Sequence, residues 1–415
     1  MIGPFVLGQL LLDRCFPVLS MPSWLRLSAH NNFDDAAEQH AVCKRLGSNE
    51  MTNPNLAILI VGACWAATGF SSADDAIPQP PQIARFVAID NVCAWPTLVS
   101  LPNGEIVAIL HNRPSHGQME GEIECWASAE GTLWERRGHP APHETNTVRM
   151  NHAAGLANNG DLIVLCSGWT NEKQPQRPKQ PAFRDDILRP WVCRSSDNGR
   201  TWTQHKEFTT PDAGWTEFIP FGPIFRGEGG GLHASCYGGE FTSPTQSSKT
   251  KGYQAWHFLS NDDGLTWRRT GVIGAKHNET SLLPLGGRRW LAAARIDAVE
   301  LFRSDDDGAT WQGPQRVTGR NEINAHLLQL GNGGLLLSYG SRVAGQFGVL
   351  ARISNDEGQT WSAPLRLAES LESDCGYPSS VARSDGKIVT AWYAKRAHNH
   401  ERYHMGVAVW SPPAK

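Results

Sequence analysis

The sequence lacks a strong net charge, a metal-binding motif and a phosphate-binding loop. Its 38 lysine and arginine residues nearly balance 41 aspartate and glutamate residues, so the formal net charge is −3 at pH 7. A chain this close to neutral lacks the basic field that nucleic-acid binding needs, and we expect no nucleic-acid partner. No cysteine spacing matches a zinc site, and the glycine-rich stretch 227–233 does not follow a strand-to-helix pattern. We therefore expect neither a metal nor another cofactor.

Long apolar runs are scarce, and the most prominent one lies near the N-terminus. Residues 56–70 are largely apolar and precede Ser71-Ser72-Ala73, which is typical of a secretory signal peptide that begins at Met51 and is cleaved after Ala73. No lysine or arginine lies between Met51 and this run, so a membrane anchor or a buried segment is the alternative. We expect residues 1–50 to be a non-native extension and 51–73 to be the signal peptide. The mature protein would then be secreted or periplasmic, with no stable membrane span.

Cysteine is also sparse, with nine residues in the whole chain. Six of them follow the expected cleavage site, and an even number permits disulfides without requiring them. Cys166 and Cys193 fall in apolar segments expected to form neighbouring strands, where a free, buried cysteine is common. The sequence leaves their redox state open.

A repeated eight-residue string is the most informative feature that the sequence does contain. The string SSDNGRTW and its near-copies end at Trp202, Trp267, Trp311 and Trp361, and a decayed copy ends at Trp134. Such self-similarity is typical of a repeat architecture. We expect each copy to be a turn whose Asp accepts backbone N–H bonds and whose Gly adopts positive φ, with the Trp packed between sheets. Calcium binding is the alternative, but no Glu stands at the twelfth position that an EF-hand loop requires.

The composition and the spacing of these strings predict an all-β fold. Sixteen Trp, 41 Gly and 26 Pro accompany short alternating apolar runs, which suits many strands joined by tight turns. A two-strand phrase precedes each string and a sixth phrase begins at Ser379, which predicts a six-bladed β-propeller over residues 83–412. The last blade lacks its own fourth strand, so residues 85–90 would supply it and close the ring. An open solenoid or two sandwiches is the alternative.

Propeller geometry also predicts which residues share one rim. The segments that enter each first strand meet there with the loops between second and third strands, and the insertions 170–190 and 240–252 would overhang it as a substrate rim or as solvated loops. Many ionisable groups in one concavity are costly unless they pair or bind something. The polar and aromatic residues expected at this rim are Asp90, Trp95, His111, Arg113, His116, Glu120, Glu122, Arg149, Asn151, His152, Glu217, Asn278, Glu279, Arg295, Arg320, Glu322, Asn324, His326, Arg342, Asp374 and Tyr377.

The repeats and this rim resemble the sialidase superfamily of six-bladed propellers with Asp-box repeats. The resemblance covers about residues 83–412 and implies that Tyr377, in CGYPSSV, is the nucleophile. It implies that Glu279, in HNETSLLPL, activates the tyrosine and that Arg295 and Arg342 belong to an arginine clamp for a substrate carboxylate. Ala94-Trp95-Pro96 replaces the Arg-Ile-Pro string that normally supplies a third arginine, and a Trp there favours stacking on a sugar face.

The resemblance therefore implies a secreted, retaining exo-glycoside hydrolase that removes a terminal sugar, acidic sugars included, from a glycan. Tyr377 would attack, Glu279 would take its proton, and Glu120 would protonate the leaving oxygen, with His116 as its rival. The residues expected to hold the substrate are Arg295, Arg342, Arg113, Trp95, Arg149 and His152. A uronate lyase or a glycosidase with His152 or His326 as base is one alternative, and a non-catalytic glycan-binding propeller is the other.

Overall fold

A computed structural model describes residues 77–413 apart from 117, 171–186, 207, 209–217 and 240–252. The regular elements of the described residues are 24 β-strands, which confirms the prediction of an all-β fold. No helix in this part of the chain is long and apolar enough to cross a membrane. The expected extension 1–50, the signal peptide 51–73, Glu217 and most of the two long insertions lie outside the described residues.

The strands are short and follow one another with few long connections. In chain order they are β1 (Ile83–Asp90), β2 (Thr97–Ser100), β3 (Ile106–His111), β4 (Ile123–Ser128), β5 (Glu135–Ala141), β6 (Thr147–Leu156), β7 (Leu162–Thr170), β8 (Ile187–Ser195), β9 (Thr203–His205), β10 (Ile219–Arg226), β11 (Leu232–Gly238), β12 (Gln254–Ser260), β13 (Arg268–Ala275), β14 (Thr280–Gly286), β15 (Arg289–Arg295), β16 (Val299–Ser304), β17 (Gln312–Arg316), β18 (Glu322–Gln329), β19 (Leu335–Ser341), β20 (Gly348–Ser354), β21 (Leu365–Glu369), β22 (Cys375–Ala382), β23 (Ile388–Ala394) and β24 (His404–Trp410).

Groups of four consecutive strands form the sheets. Strands β2–β5, β14–β17 and β18–β21 each make an antiparallel sheet in sequence order. Strands β6–β9 and β10–β13 repeat that order within one eight-stranded sheet, because β10 pairs parallel with β6 and Gly222 lies opposite Ala153. Strand β1 completes the sheet of β22–β24 by pairing antiparallel with β24, from Ile83 opposite Trp410 to Asp90 opposite His404.

The repeated string forms the same turn at each of its four full copies. The carboxylates of Asp197, Asp262, Asp306 and Asp356 accept the backbone N–H of the Thr four residues later at 2.8–2.9 Å. The Gly two residues after each Asp has a φ of 80–90°, a conformation that costs little only without a Cβ. Each closing Trp donates its indole N–H to that Gly carbonyl at 2.9–3.2 Å, so the turn also fixes the Trp ring.

The core lies between neighbouring sheets, and the first strands of the groups contact one another. Leu98 N on β2 donates to Ser379 Oγ on β22 at 2.9 Å, and Leu327 N on β18 donates to Ser281 Oγ on β14 at 3.2 Å. The apolar clusters also join groups, as where Ile109 and Val164 pack together. These contacts bring the first strands of the groups together.

The described cysteines are all free and buried: Cys93, Cys125, Cys166, Cys193, Cys236 and Cys375. Cys166 lies opposite Trp191 in the ladder of β7 and β8, whereas Cys193 lies opposite Val164. The two thiols are therefore offset along the ladder and act as small apolar side chains.

Candidate active site

A cavity of about 320 Å³ lies where the N-terminal halves of the first strands meet. Six of the nine predicted site residues line it, namely Trp95, His152, Glu279, Arg295, Arg342 and Tyr377. Aromatic side chains form much of the remaining wall, and polar side chains lie among them. This combination suits a small ligand that is stacked on rings and oriented by a few hydrogen bonds.

Tyr377, Glu279 and Arg295 form a closed triangle of hydrogen bonds in this wall. The Tyr377 hydroxyl donates to Glu279 Oε1 at 2.8 Å. Arg295 Nη1 donates to Glu279 Oε2 at 2.7 Å and to the Tyr377 hydroxyl oxygen at 3.0 Å. A hydroxyl oxygen has two lone pairs, so one stays available to a ligand in the cavity after Arg295 has engaged the other.

Burial and charge keep the members of this triangle in defined protonation states. Burial raises the pKa of Tyr377 well above its usual range, and the charge of Glu279 raises it further, against the opposing effect of Arg295 and Arg342. Burial would lower the pKa of Arg295, but Glu279 outweighs it and the pKa is raised. At neutral pH the site holds a neutral phenol beside a cation. The phenol can become a nucleophile only if it hands its proton to a partner, and Glu279 is in contact to receive it.

The backbone turns Tyr377 out of the regular ladder. Pairing between β22 and β23 shifts register between Gly376 and Ser379, and Tyr377 has a φ of 53°. Trp95 has a φ of 43°, which is also unusual for a bulky side chain. Each such residue costs on the order of 1–3 kcal/mol, and strain of this kind concentrates at functional sites. Both aromatic side chains line the cavity as a result.

Arg342 is anchored beside the Tyr377 ring. Its Nη2 donates to the Tyr393 hydroxyl at 2.9 Å and its Nε donates to the Cys375 carbonyl at 3.3 Å. The centre of its guanidinium lies 6.0 Å from the centroid of the Tyr377 ring. The described residues offer Nη1 no hydrogen-bond partner, so it can donate to a carboxylate or hydroxyl in the cavity.

Trp95 forms an aromatic wall where the family resemblance would place an arginine. The side chain is only 8% exposed and stacks on His111, with ring centroids 5.4 Å apart. Its edge contacts the rings of Tyr377 and Tyr393 at centroid distances of 6.3 and 5.9 Å. The wall at this point is therefore apolar and rigid rather than cationic.

The structure places Arg113, Glu120 and Arg149 outside the cavity wall. Arg113 donates through Nε and Nη2 to the Glu120 carbonyl at 3.1 and 2.6 Å, and the Glu120 side chain is exposed. Arg149 is 2% exposed, binds Glu144 at 3.0 Å and lies over the Trp191 ring at 3.8 Å. These contacts hold a loop and a sheet in place and direct none of the three side chains at a ligand in the cavity.

His152 and His326 line the cavity as neutral imidazoles. Burial lowers the pKa of His152 to about 4 and that of His326 to about 4. Groups with such low pKa values are weak bases at neutral pH. Their electrostatics therefore give little support to a mechanism in which either His acts as the general base.

Asp374 organises a cluster that sequence reasoning only partly identified. It accepts hydrogen bonds from the hydroxyls of Tyr393, at 2.6 Å, and Tyr403, and its Oδ2 lies 3.3 Å from His116 Nδ1. The sequence placed Asp374 and His116 at the rim but gave no role to Tyr393 or Tyr403. Tyr393 lies in the interior of an apolar strand, so its alternation pattern could not indicate that its hydroxyl reaches the site.

Comparison with known proteins is consistent with this architecture. The profile of the BNR repeat-like domain family matches residues 176–390. A sialidase from Micromonospora viridifaciens is 24% identical over 299 residues, which cover 64% of this chain and 44% of the relative. The chain therefore spans less than half the length of this curated relative.

Solved structures share the fold at low identity. A protein of unknown function from Dyadobacter fermentans has a TM-score of 0.67 and 20% identity, with 79% of this chain and 99% of that chain covered. The Trypanosoma rangeli sialidase in complex with the inhibitor DANA has a TM-score of 0.60 and 15% identity, with coverage of 80% and 60%. The Hadza microbial sialidase Hz136 has a TM-score of 0.58 and 16% identity, with coverage of 78% and 66%.

Proposed function

Since the chain belongs to the BNR repeat-like domain family within the sialidase superfamily, we propose that it is a retaining exo-glycoside hydrolase. It would remove a terminal sugar, with acidic sugars among the candidates, from a glycan. The observation that carries this proposal is the triangle of Tyr377, Glu279 and Arg295 in the wall of a ligand-sized cavity. A phenol in contact with both a proton acceptor and a cation suits nucleophilic attack better than a purely structural role.

The same proposal includes a ring of six blades that β1 completes. The pairing of β1 with β24 supports it, because it joins the first described strand to the last. The hydrogen bond from Leu98 N to Ser379 Oγ supports it further, because it connects the first group of strands to the final one. Such a ring would surround the cavity on all sides and would leave no exposed sheet edge at the junction.

In the first half of the reaction, Tyr377 would form the covalent intermediate. Its oxygen attacks the anomeric carbon while Glu279 takes the phenol proton, and the bond to the leaving oxygen breaks as an acid protonates that oxygen. Arg295 stabilises the developing negative charge on the phenol oxygen because it already donates to that atom. In the second half, water replaces Tyr377 on the anomeric carbon and Glu279 returns the proton.

A phenol nucleophile suits an acidic sugar. It approaches an anomeric carbon beside a carboxylate with less repulsion than Asp or Glu would meet. Arg342 has Nη1 available for such a carboxylate, whereas Trp95 provides an apolar face for the ring. Two arginines and one tryptophan thus accommodate an acidic sugar, with less cationic charge than three arginines would supply. We further propose secretion or export to the periplasm, on the sequence of residues 51–73.

Release of free sugar from a glycan array by the purified protein tests the proposal. The array carries sialylated, uronic-acid-terminated and neutral glycans, and mass spectrometry identifies each product. We expect one class of terminal sugar to be released intact. An unsaturated product that absorbs in the ultraviolet would indicate a lyase instead, and binding with no release from any glycan would indicate a glycan-binding propeller.

A further inference from the structure

We propose that His116, held by Asp374, is the general acid that protonates the leaving oxygen. This assignment rests on the proposed function and replaces Glu120, the carboxyl that the sequence favours, with a histidine–aspartate pair. A histidine in this role fits a site that operates near neutral pH, because its ordinary pKa lies close to that range.

His116 lies in the segment between β3 and β4 and lines the cavity. Its ring contacts Trp95 at a centroid distance of 4.8 Å and Tyr393 at 5.9 Å. The Tyr377 ring contacts the same two side chains at 6.3 and 5.7 Å. The proposed acid and the nucleophile therefore line one cavity and share an aromatic wall formed by Trp95 and Tyr393.

Asp374 anchors the histidine and cannot itself be the acid. Burial would raise its pKa, but hydrogen bonds from His116, Tyr393 and Tyr403 outweigh that effect and hold the pKa well below its usual range. The carboxylate is therefore ionised at any working pH and has no proton to donate. Its contact with His116 Nδ1 instead fixes the orientation of the ring, which is part of what a carboxylate does beside a catalytic histidine.

This contact leaves Nε2 of His116 as the proton donor. Nδ1 lies 3.3 Å from Asp374 Oδ2 and 3.7 Å from the Cys93 thiol, and the described residues offer Nε2 no hydrogen-bond partner. The His116 side chain is 35% exposed and lines the cavity, so a ligand there can contact the ring. Burial raises the pKa of Cys93, which remains a neutral thiol and does not compete with Asp374 for the imidazolium.

Several titratable and charged groups lie close to His116. Asp374 is the nearest carboxylate, and it lies 4.0 Å from the cation of Arg342. The remaining groups that face His116 from neighbouring elements are Cys93, His111, Tyr393 and Tyr403. Burial lowers the pKa of His111 to about 3, so this second histidine is neutral. Among the described residues, Asp374 is thus the carboxylate that contacts the His116 ring.

Glu120 lacks each of these features. Its side chain is exposed, it does not line the cavity, and its backbone carbonyl is bound by Arg113. Glu120 and His116 occupy the same connecting segment, so sequence position could not separate them. The two residues are distinguished only by the directions of their side chains in the structure.

The proton transfers balance over the two half-reactions. First, Nε2–H gives its proton to the glycosidic oxygen, which keeps the electron pair of the breaking bond, while the Tyr377 oxygen bonds to the anomeric carbon and Glu279 takes the phenol proton. Then neutral Nε2 takes a proton from the attacking water, and the bond to Tyr377 breaks with its electron pair returning to the phenol oxygen. Glu279 gives back its proton, and the net change is hydrolysis of one bond.

Kinetics of His116→Gln and the control Glu120→Gln test the assignment. The probes are the methyl and 4-nitrophenyl glycosides of N-acetylneuraminic acid and of glucuronic acid. We expect H116Q to lose about 10²- to 10⁴-fold in kcat/KM on the methyl glycoside and less than about tenfold on the 4-nitrophenyl glycoside, because nitrophenolate leaves without protonation. E120Q should stay within about twofold of wild type on both, and azide should accelerate H116Q because it needs no general base.

Asp374→Asn provides a readout that a structural role alone would not change. Its loss in kcat/KM should be larger on the methyl glycoside than on the 4-nitrophenyl glycoside, because an amide holds the His116 ring less firmly and the defect is confined to protonation of the leaving oxygen. Circular dichroism and thermal unfolding check that each variant is folded. Equal losses of H116Q on both leaving groups, or a selective loss in E120Q, would overturn the assignment while the proposed function stood. If the wild type turns over neither pair of probes, the methyl and 4-nitrophenyl glycosides of the sugar that it releases from the glycan array replace them, and absence of release from every glycan of the array would contradict the proposed function and this assignment together.

Discussion

The repeated turns and the cavity wall differ in how their surroundings act on ionisable side chains. In the turn at Asp306, hydrogen bonds from the Thr310 hydroxyl and backbone N–H lower the pKa of the carboxyl to about 2, which favours its charged form. In the cavity, burial raises the pKa of Tyr377 and keeps the phenol neutral. Polar groups in the turns are satisfied by nearby residues and stabilise the fold, whereas burial in the cavity holds the Tyr377 phenol in its neutral form.

The two regions also differ in which residue types adopt the left-handed backbone conformation. The turns place Asn198, Asp263, Asp307 and Glu357 in the left-handed region, and short Asn and Asp side chains tolerate it well. Bulky Trp95 and Tyr377 occupy the same region at the cavity, where it is costly. Strain that the turns largely avoid is thus retained where it directs aromatic rings at a ligand.

Tyr377→Phe should give the largest effect if the cavity is the catalytic region. Removal of the nucleophilic oxygen should lower kcat by on the order of 10³-fold or more, while the ring packing and the thermal unfolding temperature stay close to wild type. Steady-state kinetics on the sugar released from the array measures the loss. Turnover within a few-fold of wild type would show that Tyr377 only packs on its neighbours.

Glu279→Gln should give the next largest effect. The amide can still accept the hydrogen bond from Tyr377 but cannot take its proton, so we expect a loss of about 10²- to 10⁴-fold in kcat. The substitution also removes the negative charge that helps to raise the pKa of Tyr377, so titration of tyrosinate absorbance should move to lower pH for one residue. A variant with unchanged kcat would rule out Glu279 as the proton acceptor.

Gly376→Ala tests the backbone that presents Tyr377. Gly376 has a φ of 110°, and an added Cβ would lie 2.9 Å from the Gly340 Cα. We expect a loss of about 1–3 kcal/mol in the free energy of unfolding, with reduced kcat because Tyr377 shifts.

Gly386→Ala is the matched control for that substitution. It also has a positive φ, of 80°, but no atom lies within 4 Å of an added Cβ. It should destabilise the protein without changing kcat. Equal kinetic effects of the two variants would show that the Gly376 backbone has no special link to the site.

Asp306→Asn should have the smallest effect and no effect on turnover. It weakens the hydrogen bonds of one turn, so we expect a loss of at most about 1 kcal/mol at pH 7 after solvent screening. The pKa of Asp306 is lowered from 3.8 to about 2, so its contribution is full above pH 4 and is lost as the pH falls to about 2. The difference in the free energy of unfolding between wild type and variant, measured with urea, should therefore be smaller at pH 2 than at pH 7. A reduced kcat in this variant would contradict the view that the repeated turns stabilise the fold and take no part in turnover.

Repetition explains how much of the fold the sequence could predict. Four strings with equal spacing of Asp, Gly, Thr and Trp specify local hydrogen bonds, so the turns and the strands around them follow from nearby residues alone. The position of Tyr377 and Glu279 in the cavity wall was predictable for a related reason, since Tyr377 lies near the start of β22 and Glu279 directly precedes β14.

The direction of loop side chains could not be predicted in the same way. Arg149 turns away from the cavity because Glu144 and Trp191 bind it, and these contacts depend on tertiary packing. Glu120 has a φ of 62°, which no local pattern indicates, and its side chain is exposed. The anchoring of His116 by Asp374 joins residues far apart in the chain and became apparent only in three dimensions.

The most direct test of the account is the mass of the Tyr377 peptide after rapid acid quenching during turnover. Wild-type protein mixed with a 4-nitrophenyl glycoside that it hydrolyses is quenched, digested and analysed by mass spectrometry. We predict that the peptide containing Tyr377 gains the mass of one glycosyl group and that this adduct disappears as substrate is exhausted. Steady sugar release with an unmodified Tyr377 peptide and an inverted anomeric product would contradict the assignment of Tyr377 as nucleophile.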